Sequence, residues 1–193
     1  MKEYINEILE ESINAHKEFA LDNQGIIEEI AMEIVECFKR GNKLIIMGNG
    51  GSASDAQHIA AEFVGRFEME RPSLPAIAIT TNTSTITAIG NDYTYEDIFE
   101  KQVAALVNAG DLVWGISTSG NSENVIRGLK RALREDAKTI GFSGKDGGKM
   151  RGLCDHLLIV KHKKTARIQE IHILAAHIIC GLVDEKMFGK YSG

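Results

Sequence analysis

The stretch Gly48-Asn49-Gly50-Gly51-Ser52-Ala53-Ser54-Asp55-Ala56-Gln57-His58-Ile59-Ala60-Ala61-Glu62 follows the apolar run Lys43-Leu44-Ile45-Ile46-Met47. That run reads as a buried strand. Three glycines permit torsions that other residues resist, and Ser52 or Ser54 can cap the helix that begins there. Free N–H groups and the positive end of the helix then face one spot, which suits a phosphate. Further along the helix, His58 and Glu62 sit four residues apart and share a face, within reach of a common ion or a common substrate. Each half of the segment also has a plain reading: glycine turns between strand and helix often bind nothing, and a His–Glu pair at this spacing is often only solvated.

The surrounding chain constrains the choice. Its 193 residues, 44% of them hydrophobic, are enough for one core, and apolar runs alternating with helical patterns point to one α/β domain with extra helices. We divide that domain, 1–193, into an N-terminal helical extension, 1–41, and an α/β body, 42–193. In the extension, Ile5, Ile8, Leu9 and Ile13 fall at helical spacing, as do Ile27, Ile30, Ala31, Ile34, Val35 and Phe38, before a stop at Gly41. These two amphipathic helices can cover the sheet of their own chain or matching helices of a second subunit. Five short runs follow, Leu44–Met47, Ala76–Ile79, Leu112–Ile116, Thr139–Phe142 and Leu157–Val160, as in parallel β–α units with functional loops at the carboxyl ends of the strands.

A net charge of -5 argues against nucleic acid as a partner. The basic run Lys161-His162-Lys163-Lys164 reads as a solvated loop. No segment is expected to span a membrane, and Met1-Lys2-Glu3-Tyr4 lacks a secretory pattern, so a cytoplasmic location is expected. Cys37, Cys154 and Cys180 have no zinc-finger spacing and read as small buried hydrophobes in a reducing compartment.

Two further elements carry chemistry. Ser117-Thr118-Ser119-Gly120-Asn121-Ser122 ends the third run and leads into a helix marked by Val125, Ile126, Leu129 and Leu133. Its hydroxyls can donate to a phosphate without adding charge, or can serve as caps. The C-terminal helix, about Thr165 to Lys186, is apolar almost all round yet carries Gln169, Glu170, His172 and His177. Buried polar groups there need internal partners or a ligand, and helical spacing alone leaves open which histidine faces His58 and Glu62. Gln169 and His177 are separated by about 12 Å of helix rise, so sharing one ion requires both side chains to lean inward.

Taken together, Gly48-Asn49-Gly50-Gly51-Ser52 with His58 and Glu62, Asn91-Asp92, Ser117 to Ser122, and Ala166-Arg167-Ile168-Gln169-Glu170 with His177 closely resemble the phosphoheptose isomerases of the sugar-isomerase (SIS) domain superfamily. The resemblance runs from Asn42 onward. It implies a five-stranded parallel sheet flanked by helices, a homotetramer built with the N-terminal helices, and conversion of sedoheptulose 7-phosphate to D-glycero-D-manno-heptose 7-phosphate, the first step toward nucleotide-activated heptose. It also implies one zinc ion per subunit on His58, Glu62, Gln169 and His177. Ser117, Thr118, Ser119 and Ser122 match the family's phosphate cradle, and Asn49, Gly50, Gly51, Ser52, Glu62, Asn91, Asp92 and Gln169 its other substrate contacts. The resemblance also assigns Glu62 and His177 the two proton-transfer roles through an enediol; Glu62 is the expected base and His177 the expected acid, with the reverse order left open. Asn82 stands where the family usually has Asp. The alternative is a non-catalytic scaffold of the same fold that associates with a replication initiator.

Overall fold

The computed structural model describes residues 1–189, so the last part of the expected domain, 190–193, lies outside them. All five apolar runs become strands: β1 (Leu44–Gly48), β2 (Ala76–Ala78), β3 (Leu112–Ser117), β4 (Lys138–Gly144) and β5 (His156–Val160). They form one parallel sheet in the order β2-β1-β3-β4-β5. Strands β1 and β3 are buried along their whole length because helices cover both faces, which is why their sequences do not alternate.

The helical patterns form as expected. The extension gives α1 (Lys2–Asp22) and α2 (Gln24–Lys39), and Gly41 turns the chain out with φ +78°. The body adds α3 (Gly51–Val64), α4 (Thr83–Asp92), α5 (Ile98–Leu106), α6 (Glu123–Arg134) and α7 (Thr165–Phe188). One face of the sheet packs Trp114, Phe142 and Ile46 against Ile30 and Ile34 of α2, Phe63 of α3 and Ile171 and Ile179 of α7. The other packs Met47 and Val113 against Phe99 of α5 and Val125 and Leu129 of α6.

Two expectations need amendment. Helix α7, with 24 residues, is long and apolar enough to cross a membrane by length and composition, contrary to the reading that no segment is; half of its apolar window is buried inside the protein, as in a core helix. The basic loop is exposed at Lys161, Lys163 and Lys164, as a solvated run is, and within it Lys161 pairs with Asp22 at 3.0 Å and Lys164 with Glu11 of α1. Cys37 and Cys180 are buried but Cys154 only partly so; all three are free, and burial raises their thiols, to about 11 for Cys37 and about 12 for Cys154. On the outer side of α1, Tyr4, Ile5, Leu9 and Ile13 remain exposed.

This topology sets the place of the site. Neighbours β1 and β3 lead their chains to opposite sides of the sheet, so a crevice opens between the loops at their carboxyl ends. Gly48 is in register with Ile116, which puts the Asn49 turn beside the Ser117 loop.

Candidate active site

At the end of β1 the chain turns through Gly50, whose φ of +56° is open to glycine at no steric cost, and Gly50 is the N-cap of α3. The expectation that Ser52 or Ser54 caps this helix is therefore corrected. Ser52 is already inside it and buried, because the glycine lets the helix start two residues earlier. No side chain caps α3. Among the described residues, the Gly50 and Gly51 N–H groups bond to nothing in the chain, leaving two donors at a positive helix end.

Asn49 is held across the crevice. Its Nδ2 donates to Asn124 Oδ1 at 2.8 Å, Asn124 Nδ2 returns a bond to Asn49 Oδ1 at 2.9 Å, and Tyr95 Oη donates to the same oxygen at 2.9 Å. Three segments thus meet on one amide: the turn after β1, the first turn of α6 and the short 3-10 turn at Tyr95. Asn124 and Tyr95 were not singled out by sequence, and no local pattern marks Asn124, since its partner is fixed by the pairing of β1 with β3.

The hydroxyl loop gathers on itself. Ser117 Oγ lies 2.9 Å from Ser122 Oγ and 3.5 Å from Ser119 Oγ, and Ser119 Oγ accepts the Asn121 N–H at 3.1 Å. Ser122 is the N-cap of α6, yet its side chain makes no capping bond, so the plain role of a cap does not account for it. Gly120, with φ +66°, has the Gly147 carbonyl so close that a Cβ there would lie 2.1 Å from its oxygen, and the loop after β4 packs directly on the cradle.

Helices α3 and α7 supply the rest. His58 Nε2 is 3.0 Å from Glu62 Oε1. His177 is the histidine that meets them: its ring lies edge-on to His58 with centroids 5.0 Å apart and stacks on Phe67 at 5.5 Å. One donor atom each from His58, Glu62 and His177 falls within 4.8 Å of the others. His172 is a core residue, bonded to the Ser143 carbonyl at 3.1 Å, and burial lowers its imidazole to about 4. Gln169 sits higher, against the start of α3, where a Cβ on Gly51 would come 2.4 Å from its Nε2. Between the two levels, on the same face of α3, Asp55 has a buried carboxylate oxygen with no hydrogen-bond partner, and burial pushes it up to about 6.

A metal fits this arrangement. The Nε2 of His177 is buried and without a hydrogen-bond partner, and one of the ring nitrogens of His177 lies within 4.8 Å of a Glu62 carboxylate oxygen and a His58 ring nitrogen; an unpaired buried nitrogen is a costly state that a cation can relieve. Two imidazoles and a carboxylate are a zinc-type donor set.

Other expected residues lie at the rim. Asn91 and Asp92 end α4, both exposed, with Asn91 Nδ2 donating to Asp92 Oδ1 at 2.9 Å. Their segment leads to Tyr95. Asn82 caps α4, accepting the Thr85 N–H at 3.0 Å; Asn and Asp cap equally well, so this departure costs nothing locally.

A profile of the SIS domain matches residues 4–144. A phosphoheptose isomerase of Clostridium acetobutylicum is 48% identical over 98% of both chains, and one of Aquifex aeolicus is 52% identical over 96% of this chain and 97% of its own. A solved phosphoheptose isomerase from Neisseria gonorrhoeae superposes with a TM-score of 0.91 at 44% identity, covering 95% of this chain and 98% of that one. The full-length relatives span α7, which the domain profile does not reach.

Proposed function

The chain belongs to the SIS domain family and, within it, to the phosphoheptose isomerases, and we propose that Glu62 and His177 are the proton-transfer pair by which it isomerises sedoheptulose 7-phosphate to D-glycero-D-manno-heptose 7-phosphate. It is a ketose–aldose isomerase. The observation that carries the residue assignment is the gathering of Glu62, His58 and His177 within 4.8 Å below a crevice rimmed by amide and hydroxyl donors.

In this reading Ser117, Thr118, Ser119 and Ser122 take the phosphate with neutral donors. Asn49, Ser52, the Gly50–Gly51 turn, Asn91, Asp92 and Gln169 orient the sugar chain so that C1 and C2 lie near Glu62. The Glu62 carboxylate removes a C1 proton, giving an enediol. His177 serves the oxygens, donating to O2 and relieving O1 of its proton as a proton returns to C2; the carbonyl moves from C2 to C1 with no net change in atoms. Proton transfer by positioned groups contributes about 10²–10⁴-fold. His58, Glu62, Gln169 and His177 are the residues that would hold zinc, and the bound ion supplies Lewis-acid polarisation of substrate oxygens. A carboxylate shared with a cation would be a weaker base, so Glu62 would serve as base only through a lone pair not taken up in holding the ion.

We read the protein as a cytoplasmic homotetramer. The exposed Tyr4, Ile5, Leu9 and Ile13 of α1, and a groove of about 450 Å³ lined by Phe19, Ile27, Leu174, Ile178 and Leu182, support association through the helical extension. The scaffold alternative gives no reason for the gathering of His58, Glu62 and His177 within 4.8 Å of one another. Incubation with sedoheptulose 7-phosphate, followed by NMR, should reveal the aldoheptose phosphate. No turnover with or without added zinc would overturn the assignment.

A further inference from the structure

One buried ionic group is not used by the reaction. Arg71 lies in the segment between α3 and β2, outside both. Its side chain is nevertheless 1% exposed, and its Nε donates to Asp184 Oδ1 at 2.7 Å, with the Asp184 side chain 3% exposed. The other nitrogens go to backbone. Nη2 donates to the Glu62 carbonyl at 2.8 Å, and Nη1 to the carbonyls of Phe63 at 2.8 Å and Pro72 at 3.0 Å. The Glu62 and Phe63 carbonyls belong to the last turn of α3, where intrahelical donors have run out and the helix dipole favours a cation.

The far end of this link is equally placed. Asp184 lies two turns beyond His177 on α7 and therefore on the same face. Arg71 thus ties the turn of α3 that contains Glu62 to the face of α7 that carries His177. A buried ion pair is a poor source of stability, since apolar residues of like volume often serve as well; its best-attested use is to fix register. Register matters here because a slip of one residue along a helix moves a side chain by about 1.5 Å, a large part of the 4.8 Å that encloses the three donor atoms.

We propose that Arg71 and Asp184 are positioning residues for the isomerase site, their buried pair setting the axial register of α3 against α7 so that Glu62 and His58 meet His177. The proposal rests on the function assigned above. It predicts that weakening the link spoils metal binding and proton transfer while leaving substrate capture, which depends on β1, β3 and α6, nearly intact. A misplacement of about 1 Å costs on the order of 100-fold in rate, and loss of an outer support of a metal ligand costs about 10–100-fold in metal affinity.

The test is Arg71→Met with Asp184→Leu, which removes both charges together and so leaves no orphaned ion. Wild type and variant are compared for thermal stability, for zinc affinity by calorimetric titration with the metal alone, and for kcat and KM. The expected result is a folded protein with near-normal KM, zinc affinity lower by about 10-fold or more and kcat lower by about 100-fold. Wild-type zinc affinity and kcat in the folded double variant overturn the proposal. Arg71→Lys is the second variant: it keeps the charge pair but gives up the fork to the Glu62 and Phe63 carbonyls, and should show the same losses in milder form. Should neither variant fold, the pair is a folding requirement and the register role is likewise overturned. Failure of the wild type itself to bind zinc or to turn over counts against the assigned function and not against the clamp.

Discussion

Replacing Asn124 by Ala separates the cross-crevice amide pair from everything else in the site. Asn124 is 3% exposed and takes part in three bonds: it exchanges two with Asn49, at 2.8 and 2.9 Å, and its Oδ1 accepts the Val125 N–H at 2.9 Å. Each neutral bond contributes about 1 kcal/mol, and a buried donor left unpaired costs about 1–3 kcal/mol. The Val125 N–H is such a donor, because Val125 is fully buried. Asn49 is partly exposed, so water can recover its half of the exchange. The expected loss is therefore about 2–4 kcal/mol, read as a lower urea midpoint with an unchanged slope. The Asn49 amide, then held only by Tyr95, no longer presents one orientation to the sugar, and KM for sedoheptulose 7-phosphate should rise more than kcat falls. Asn124→Asp is the control, since it keeps the acceptor for Val125 and should recover part of the stability. An Asn124→Ala protein with wild-type stability and KM would refute the reasoning.

Two further changes probe neighbouring features. In Gly51→Ala the new Cβ would lie 2.4 Å from Gln169 Nε2, the free end of a flexible side chain, so the fold should hold within about 1 kcal/mol while Gln169 swings away and zinc affinity and kcat fall; unchanged affinity and kcat would remove Gln169 from the site. His172 is held neutral by burial, its folded value of about 4 lying below the ordinary 6.5, so its contribution is complete above pH 6.5 and is lost as pH falls toward 4, amounting to about 3 kcal/mol. His172→Gln should flatten the stability profile across that window, and an undiminished slope in the variant would assign the acid sensitivity elsewhere.

What the sequence made legible is what local pattern controls. The five apolar runs are short, and glycine or hydroxyl turns follow them, so strand identity was plain, and with it the edge of the sheet on which Asn49 and Ser117 open. His58 and Glu62 could be paired because one helix turn relates them. What stayed hidden depends on distant segments. The choice between His172 and His177 turns on the rotation of α7 against the sheet: one ring meets Ser143 in the core and the other meets His58. Spacing along one amphipathic element does not fix that rotation, and only the family resemblance pointed to His177. Asn124 and Asn49 are 75 residues apart, and Arg71 and Asp184 113 apart; polar pairs of this kind leave no periodic trace. The Gly50 cap was missed because serine is the stronger cap on average, whereas here the turn itself demands a positive φ.

The central claim is that Glu62 takes the C1 proton. With sedoheptulose 7-phosphate in deuterated buffer, the wild-type protein should place deuterium at C1 of the recovered ketose, because this exchange needs only the first proton transfer. Glu62→Gln retains the size and a ligating oxygen but has no basic lone pair at neutral pH, and its exchange rate should drop by about 10²–10⁴-fold. Exchange at the wild-type rate in folded Glu62→Gln would contradict the account and remove Glu62 from the role of base.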